Sequence, residues 1–418
     1  MVPSQTPTGW RLTSYGDVLS ETDERAGERM NLPVLSVTKT RGLMLASERF
    51  GKIMHGRDLA RYRIARRNQI VADPMLLWDG SIGLQNVVEA GLVSPDYRVY
   101  QPSTGVDHQF IGMSVRSPGQ ILHYLAGAKG TNVRRNRIAR SDFMNIPLLL
   151  PPLGEQRKIA AILASIDEAI ESTRAVIVQI QAVRKVLLSD LLRRGTPGKH
   201  TKFSRTEIGD IPAAWDIAQL SDVASIQTGL AKGKVVEDGV ELPYLRVANV
   251  QDGFIDLSEV KSILVDRRMI ARFSLQDGDV LFTEGGDADK LGRGSVWRAP
   301  ISPCLHQNHV FAVRTHREKL RPEFLAAWAA SPRGREYFLS CSKQTTNLAS
   351  INSSQLRAFP VPVPPIEEQD GIVSTLATIS GRQDIETMWL DSLRAFGLAL
   401  RCALLTGQVR VKPDEESA

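Results

Sequence analysis

Two long stretches of the chain carry apolar residues at alternating steps of three and four positions. The first covers residues 155–193, and the second lies 213 residues further on. Apolar spacing that averages 3.5 residues over about five heptads is typical of a coiled coil rather than of an ordinary surface helix. At 1.5 Å per residue, each helix would be roughly 58 Å long. The predicted seam consists of Ile159, Leu163, Ile166, Ile170, Ile177, Ile180, Leu187 and Leu191 in the first stretch and of Ile372, Leu376, Ile379, Leu390, Leu393, Leu400 and Leu404 in the second.

Each predicted helix follows a pair of prolines. Leu150-Pro-Pro-Leu-Gly-Glu-Gln156 precedes the first helix, and Val363-Pro-Pro-Ile-Glu-Glu-Gln369 precedes the second. Proline suits the approach to a helix start, and a glutamate in the first turn interacts favourably with the helix dipole. Gly195, which precedes Thr196-Pro197-Gly198, predicts the end of the first helix. Two long core helices in separate bundles remain the alternative interpretation.

The doubled Pro-Pro segment belongs to an internal repeat. Pro7-Thr-Gly-Trp10 near the start recurs 205 residues later as Pro212-Ala-Ala-Trp215, and an Asp-Val pair follows each at the same distance. Matched anchors in the same order indicate two copies of one unit, related by a pseudo-two-fold axis. The predicted segments are a globular region at 1–150, a spacer helix at 151–195, a second globular region at 196–362, a distal spacer helix at 363–408 and an acidic tail at 409–418.

The globular regions carry the pattern of mixed α/β (α+β) domains. In the second copy, short runs rich in β-branched and aromatic residues predict strands, and a helical pattern follows them. The predicted strands are 244–250, 278–283, 296–298 and 309–313, with a helix over 322–340. The first copy predicts strands near 76–78, 86–88 and 97–100 and a helix over 118–127.

Composition places the chain among ordinary globular proteins. Its 418 residues are 42% hydrophobic and 23% charged, which excludes wholesale disorder and collagen-like structure. The sequence contains no apolar run of the roughly 18 residues that a membrane span needs, and no secretory leader is apparent. The three widely spaced cysteines Cys304, Cys341 and Cys402 suggest free thiols in a reducing compartment. We therefore expect a cytoplasmic protein without membrane contact.

The net charge of +6 is distributed unevenly along the chain. Residues 1–150 carry +6, residues 151–195 and 196–362 carry +2 each, and residues 363–418 carry −4. A positive excess in the upstream part favours a polyanionic partner there.

Catalytic motifs are incomplete throughout the sequence. Asp73-Pro-Met-Leu and Asn145-Ile-Pro-Leu lack the second proline and the aromatic residue of adenine methyltransferases, and Gly229-x3-Gly233-Lys234-Val235 is one residue short of a P-loop. Glu259-Val-Lys261 has the form found in Mg²⁺ nucleases but follows no suitable Pro-Asp strand. Cys304, His306 and His309 could supply three zinc ligands, although a structural zinc site needs four. We predict neither catalytic nor metal-binding residues.

Polar loops in the second copy contain groups that bind nucleic acid. Glycines permit close backbone approach, Lys and Arg suit phosphates, and Asn, Gln and Glu can pair with base edges. These predicted DNA-binding residues are Thr228, Lys232, Lys234, Tyr244, Arg246, Asn249, Thr283, Glu284, Gly285, Gly286, Asp287, Lys290, Arg293, His306, Gln307, Asn308, His309, Lys343, Gln344, Thr345, Thr346 and Asn347.

The first copy offers fewer such residues. Its Trp78-Asp-Gly-Ser81 stands in place of the Thr-Glu-Gly-Gly-Asp loop, and its Ser94-Pro-Asp-Tyr97 stands where the second copy has Gln307-Asn-His-Val310. A single polar loop residue is more often part of a solvated turn, but clustering at matched places favours the loops as sets. The predicted residues are Lys39, Arg41, His108, Gln109, Arg134, Arg135, Asn136 and Arg137.

The pattern resembles the specificity subunit of type I restriction–modification systems over nearly the whole chain. The resemblance depends on the paired Pro-x-x-Trp and Pro-Pro-x-x-Glu-Gln motifs and on three segments of the second copy, Tyr-Leu-Arg-Val-Ala-Asn-Val, Gly-Asp-Val-Leu-Phe-Thr and Gln-Thr-Thr-Asn. It implies two target recognition domains, 1–150 and 196–362, each reading one half of a bipartite, asymmetric double-stranded DNA site. The two helices would form an antiparallel coiled coil that fixes the separation of the two recognition domains.

The resemblance also implies partners and cofactors. Two modification subunits would methylate adenine with S-adenosylmethionine, and two restriction subunits would translocate and cleave DNA with ATP and Mg²⁺. This chain would hold none of these cofactors and would act in the cytoplasm of a bacterium or an archaeon.

Three other functions remain open. A specificity module of another restriction or defence system could use the same architecture. A self-sufficient nuclease or methyltransferase would cut or methylate DNA as a purified chain. A coiled-coil adaptor that binds only protein would show no salt-dependent affinity for DNA.

Overall fold

The chain folds into two compact units. In the computed structural model, residues 6–29, 31–51, 59–128, 137–231, 239–286, 291–292, 294–341, 343–344 and 349–413 are described. The first unit combines Met1–Arg174 with Met388–Ala418, and the second is Ala175–Thr387. Each unit therefore contains one globular region and part of each long helix.

The first unit is built on an antiparallel sheet of four strands. Its strands are β1 Arg11–Ser14, β2 Leu19–Thr22, β3 Leu35–Thr38, β4 Gly42–Leu45, β5 Arg63–Arg66, β6 Ile70–Ala72, β7 Ile82–Leu84, β8 Ala90–Val93, β9 Arg98–Pro102 and β10 Pro147–Leu150. Its helices are α1 Tyr15–Val18, α2 Ala46–Phe50, α3 His108–Ser114, α4 Pro118–Gly127, α5 Arg140–Met144 and the start of α6 Leu153–Arg194. The sheet order is β2-β9-β6-β7, beside the hairpin β3-β4 and the pair β5-β8.

The second unit contains a four-stranded sheet of the same plan. Its strands are β11 Phe203–Thr206, β12 Gly209–Pro212, β13 Asp216–Gln219, β14 Ala224–Thr228, β15 Gly239–Leu245, β16 Lys261–Asp266, β17 Val280–Thr283, β18 Gly285–Gly286, β19 Gly294–Val296, β20 Leu305–His306, β21 Val310–Thr315, β22 Lys343–Gln344, β23 Ala349–Ser350 and β24 Pro360–Val363. Its helices are α7 Leu220–Val223, α8 Arg267–Phe273, α9 Pro322–Ala330, α10 Pro332–Cys341, α11 Ser353–Arg357 and the start of α12 Ile366–Leu405. The order β14-β21-β17-β19 repeats that of the first sheet.

In both units, the strand after the Pro-x-x-Trp motif pairs with the strand before the Pro-Pro motif. Arg11 in β1 lies opposite Leu150 in β10, and Asp216 in β13 lies opposite Val363 in β24. The two motifs of each repeat are therefore neighbours in space although more than 140 residues separate them in sequence.

The two predicted long helices are confirmed. Helix α6 has 42 residues and α12 has 40, and in each unit one part of α6 packs antiparallel against one part of α12. In the first unit, Arg401 bonds both carboxylate oxygens of Asp167 at 2.9 and 3.0 Å. In the second unit, Arg184 donates to the hydroxyl of Ser380 at 3.2 Å. Among the seam residues, Ile159 and Ile372 are buried near the helix starts, and Leu390 and Leu393 are buried further along α12.

The predicted strands and short helices are partly confirmed. Strands β9, β17, β19 and β21 lie within or next to their predicted ranges, and α4 has the predicted bounds. The strand predicted at 244–250 ends at Leu245, because Asn249 accepts the amide of Arg246 at 2.9 Å and closes a 3₁₀ turn. The helix predicted over 322–340 is divided at Ser331, since Pro332 cannot continue the first helix.

Two strands predicted in the first copy are wrong. Residues 77–79 form a 3₁₀ turn instead of part of a strand. Residues 86–88 lie between β7 and β8, where the side-chain oxygen of Gln85 accepts the amides of Val87 and Val88 at 2.8 and 3.3 Å. A side chain that satisfies these backbone donors replaces the neighbouring strand that a sheet would supply.

Candidate nucleic-acid interface

The Pro-x-x-Trp and Pro-Pro-x-x-Glu-Gln motifs of each repeat meet at a buried hydrogen bond. In the first unit, the Trp10 indole donates to the Glu155 carboxylate at 2.9 Å. In the second unit, the Trp215 indole donates to the Glu368 carboxylate at 3.2 Å. We call each arrangement a joint, defined by the tryptophan, the glutamate and the following glutamine, Gln156 or Gln369. The joint fixes the start of each globular region to the start of a long helix.

In each joint, basic residues that follow the other long helix lie beside the glutamate. Arg410, just beyond α12, bonds both oxygens of Glu155 at 2.8 and 2.9 Å. Just beyond α6, Lys199 lies 3.3 Å and His200 lies 2.8 Å from Glu368. Burial alone would raise the pKa of both glutamates, but these hydrogen bonds hold the pKa of each below its usual value. Both carboxylates are therefore held in the charged form.

The glutamine of each joint positions a helix of the globular region. Gln156 accepts the amide of Asp107 at 2.8 Å, and Asp107 in turn caps the first turn of α3. Gln369 accepts the amide of Arg321 at 2.8 Å, immediately before α9. The joint residues were visible in sequence as a repeated motif, but nothing in the sequence indicated what they contact.

In the second unit, the predicted loops meet at one edge of the four-stranded sheet. Leu230, which follows β14, donates its amide to the carbonyl of His306 at 2.8 Å. Glu284, which follows β17, donates its amide to the carbonyl of His309 at 2.9 Å. Ile351 beyond β23 donates to the carbonyl of Glu284 at 2.8 Å, and β18 pairs with β23. The structure thus brings together loops that lie more than 100 residues apart in sequence.

The edge presents both charged and neutral polar groups. The imidazole of His309 bonds the carboxylate of Glu284, and the Asn308 amide lies 3.4 Å from the other ring nitrogen. Gly229 is required beneath them, because a Cβ there would lie 2.2 Å from the carbonyl oxygen of His306. Thr228 and His309 are exposed, and Gln307, Asn308 and Glu284 are half-buried. This set can offer donors and acceptors to the base edges of a DNA groove.

Four predicted contact residues lie in the interior, which corrects the prediction for them. Tyr244, Asn249, Thr283 and His306 are each less than 4% exposed. Asn249 also donates to the carbonyls of Asp256 and Glu259, and His306 bonds the carbonyl of Val310 at 2.7 Å. Burial lowers the pKa of His306. These side chains support the edge from within instead of facing a ligand.

The remaining second-copy candidates are described only in part. Arg246 is half-buried and lies 3.5 Å from Glu259. Gly285 and Gly286 form β18, and Lys343 and Gln344 form β22 beside β23. The predicted residues Lys232, Lys234, Asp287, Lys290, Arg293, Thr345, Thr346 and Asn347 lie outside the described residues.

In the first unit, the predicted residues lie on two separate elements. Lys39 and Arg41 are exposed at the tip of the β3-β4 hairpin, where Lys39 is 3.4 Å from Asp79. His108 and Gln109 are exposed in the first turn of α3. Arg137 is exposed, and the predicted residues Arg134, Arg135 and Asn136 lie outside the described residues.

The counterpart of Glu284 in the first unit is Asp73 rather than a residue of Trp78–Ser81. Asp73 directly follows β6, which has the place of β17 in the shared sheet order. Burial raises the pKa of Asp73, amide hydrogen bonds from Met75 and Leu76 oppose the rise, and the charge of Asp96 adds to it. Asp96 occupies the place of His309. Two acidic groups in the first unit therefore correspond to a hydrogen-bonded glutamate and histidine in the second.

Neither metal binding nor membrane insertion finds support in the described part of the chain. Within it, no group of three or more His, Cys, Asp or Glu side chains could hold a metal ion. Cys304 is buried, and burial raises the pKa of its thiol to about 12. Among the helices described, none is long and apolar enough to cross a membrane.

Sequence comparison identifies the family. The profile of the type I restriction modification DNA specificity domain matches residues 119–182 and 212–393, more than half of the chain. The chain belongs to the family of type I DNA specificity subunits. As a member of that family it is the DNA-recognition subunit of a type I restriction–modification system, and it is not itself catalytic.

Curated relatives include specificity subunits from an archaeon and a bacterium. The MjaVIII specificity subunit of Methanocaldococcus jannaschii is 26% identical over 356 residues, which cover 81% of this chain and 80% of that protein. The EcoKI specificity subunit of Escherichia coli K12 is 29% identical over 252 residues, which cover 58% of this chain and 52% of the relative. The chain spans only 42% of another specificity subunit from Methanocaldococcus jannaschii.

Solved structures share the fold of these specificity subunits. A chain from a structure of the assembly and conformational transition of a type I system has a TM-score of 0.60 at 18% identity, over 97% of this chain and 100% of that one. The specificity subunit of Thermoanaerobacter tengcongensis has a TM-score of 0.52 at 17% identity, over 97% of this chain and 99% of the other. Both likenesses support the arrangement of two mixed α/β regions with two long, packed helices.

Proposed function

We propose that this specificity subunit reads a bipartite, asymmetric DNA site, with residues 1–150 and 196–362 as its two target recognition domains. The observation that carries the proposal is the repeated joint and sheet order combined with different polar groups at the same sheet edge. A shared scaffold would present both edges to DNA in the same way, as repeated readers do. Because the exposed Asp96 stands where the second unit has the exposed His309, the two half-sites should differ in sequence.

Methylome sequencing of a host that expresses this subunit with its modification partner tests the proposal. We expect modified adenines in a motif of two unlike half-sites separated by unread base pairs. A matched one-turn insertion in α6 and α12 should lengthen the preferred gap without changing either half-site. A single contiguous motif, or a gap unchanged by the insertion, would refute the bipartite geometry.

The partners proposed for this chain are two modification subunits and two restriction subunits. Two matched apolar patches on the long helices support the proposal of two modification subunits in the complex. Val176 and Val183 of α6 are 38% and 52% exposed, and Trp389 and Phe396, which lie 213 positions further on, are each 55% exposed. Repeated apolar positions on a helical surface suit two copies of one protein partner.

The cofactors follow from the partners. We propose that S-adenosylmethionine acts in the modification subunits and that ATP and Mg²⁺ act in the restriction subunits. The assembly would work in the cytoplasm of a bacterium or an archaeon, where its DNA substrate lies.

Stoichiometry can be tested by native mass spectrometry of the co-expressed complex. We expect Trp389→Glu to remove one modification subunit and the combination with Val183→Glu to remove both, because a buried charge opposes an apolar interface. Leu264→Glu is the matched control, since Leu264 is 48% exposed on β16 of the globular region. Complexes that keep two modification subunits in the double variant would contradict the proposed surface.

A further inference from the structure

A cavity of about 710 Å³ in the first unit is lined by an excess of arginines. It lies between the tip of the β3-β4 hairpin, the turn from α3 to α4, and the packed helices α6 and α12. The cations around it are Arg41, Arg116, Arg174, Arg394 and Arg401, and the carboxylates are Asp167 and Glu171. The lining therefore carries more positive than negative charge.

Two of these arginines, Arg116 and Arg401, are close enough to repel each other electrostatically. Arg116 donates to the carbonyl of Lys39 at 3.0 Å, and Arg401 is only 21% exposed in its ion pair with Asp167. Burial lowers the pKa of Arg116, the charge of Arg401 lowers it further, and Asp167 opposes the decrease. Two guanidinium groups thus share the neighbourhood of one carboxylate. A bound anion would relieve the repulsion between them.

The backbone next to Arg116 leaves room for its guanidinium group. Gly42 has a φ of +72°, and a Cβ there would lie 2.7 Å from Nη1 of Arg116. A larger residue at this position would displace the arginine. The Arg116 guanidinium group therefore packs directly against the backbone of Gly42 at the hairpin tip.

The fold does not require an arginine cluster at this place. The second unit has a cavity of about 520 Å³ at the corresponding place beside the long helices. There Leu188 and Ser380 stand at the positions of Arg401 and Asp167, displaced by 213 residues. Its walls are mostly apolar, with Phe254, Val296 and Trp297 among them. Since the second unit has the same sheet order without such a cluster, the shared fold alone does not explain the arginines in the first.

We propose that the first-unit cavity binds a phosphate group through Arg116 and Arg401. Arginine forks bind phosphate oxygens in pairs, and the remaining arginines at the rim would attract the anion. The expected source is the DNA backbone next to the first half-site, because the predicted DNA-binding residues Arg41 and Gln109 also line the cavity. This inference deepens the proposed function and depends on it only for the source of the phosphate.

The test measures DNA binding by the assembled complex as a function of salt. For Arg116→Gln with Arg401→Gln, we expect the Kd to rise about tenfold on target and non-target DNA alike, and the slope of log K against log salt to fall by about 1 in magnitude. Arg184→Gln, in the second-unit cavity, is the matched control and should change neither quantity. Thermal unfolding checks that each variant folds.

A second variant separates anion binding from a structural role. Asp167→Asn removes the carboxylate that competes for Arg401, so it should tighten DNA binding and steepen the salt dependence. A merely structural ion pair would instead give unchanged or weaker binding.

Calorimetry with pyrophosphate and the full-length chain distinguishes the two sources of phosphate. Pyrophosphate binding that is lost in the arginine double variant, with DNA binding unaffected, would assign the cavity to a free phosphate ligand. Unchanged DNA affinity, salt slope and pyrophosphate binding in that variant would overturn the inference. A wild-type complex that binds no specific DNA would refute the proposed function, while the pyrophosphate measurement would still test the cavity.

Discussion

The two units share the contacts that stabilise each unit and differ in the polar groups at the sheet edge and beside the long helices. Both have the Trp–Glu–Gln joint, the same order of strands in the main sheet and the same pairing between the strands that close each repeat. At the sheet edge, Asp73 and Asp96 replace Glu284 and His309. Beside the long helices, an arginine-lined cavity corresponds to an apolar one. The sheet order and the joints are thus repeated in the two units, whereas the polar groups at the sheet edge and beside the long helices are not.

Even within the joint, only part of the arrangement is repeated. The glutamate and the tryptophan correspond in both units, but the compensating cation is Arg410 in one and Lys199 in the other, where the His200 imidazole also bonds the carboxylate. What is constant is a positive charge placed after one long helix against the start of the other. Electrostatic neutralisation of the buried glutamate, rather than one residue type, is the common requirement.

The largest expected effect comes from removing the joint glutamate. Glu368→Ala and Glu155→Ala should each lower the free energy of unfolding by about 3 kcal/mol, because each leaves an indole donor and a cation without their acceptor. Hydrogen exchange should show the loss mainly in the unit that carries the substitution. The exposed neighbour Glu367→Ala is the control. Losses below about 1 kcal/mol would show that the joint is not what stabilises the units.

A somewhat smaller effect is expected at the sheet edge of the second unit. Gln307→Ala with Asn308→Ala should reduce discrimination at one half-site by about 5- to 100-fold and leave the other half-site unchanged. Competition binding with single-base variants of each half-site measures this. Asp96→Ala, at the equivalent edge of the first unit, should affect only the other half-site. Equal losses at both half-sites in either variant would contradict the assignment of one unit to each half-site.

Acid should lower the free energy of unfolding of both units. The pKa values of Glu155 and Glu368 are lowered in the folded protein, so their contribution to stability is complete above their unfolded pKa. That contribution is lost as the pH falls through the folded pKa values. Urea unfolding between pH 7 and pH 3 measures the decline. Glu155→Gln and Glu368→Gln together should flatten it, and an equally steep decline in this variant would exclude the joints as its cause.

The smallest expected effect is a change in the free energy of unfolding when a carboxylate at either sheet edge is neutralised. The sign of this change should differ between the two edges. The raised pKa of Asp73 means that the folded state favours its neutral form, so stability falls as the pH rises through that pKa. Asp73→Asn should therefore stabilise the protein at pH 7 by less than about 1 kcal/mol, because the amide oxygen can still accept from Met75. Glu284→Gln should destabilise it, since it weakens the pair with His309. Thermal unfolding of the two variants measures the signs, and equal signs would contradict the contrast between the edges.

The sequence alone determined the features that depend on local periodicity and repetition. The heptad spacing predicted both long helices, the duplicated motifs predicted two units, and the pattern over 118–127 predicted α4. Such features follow from residues a few positions apart, whose side chains fall on the same face of a helix whatever the rest of the chain does.

Only the tertiary structure decided which polar residues are exposed and which groups meet. Tyr244, Asn249, Thr283 and His306 have the residue types of DNA contacts but are buried in the folded unit. The arginines of the first-unit cavity come from four separate parts of the chain, so no sequence motif marked them. Burial and convergence depend on long-range packing, and a pattern of neighbouring residues carries no information about that packing.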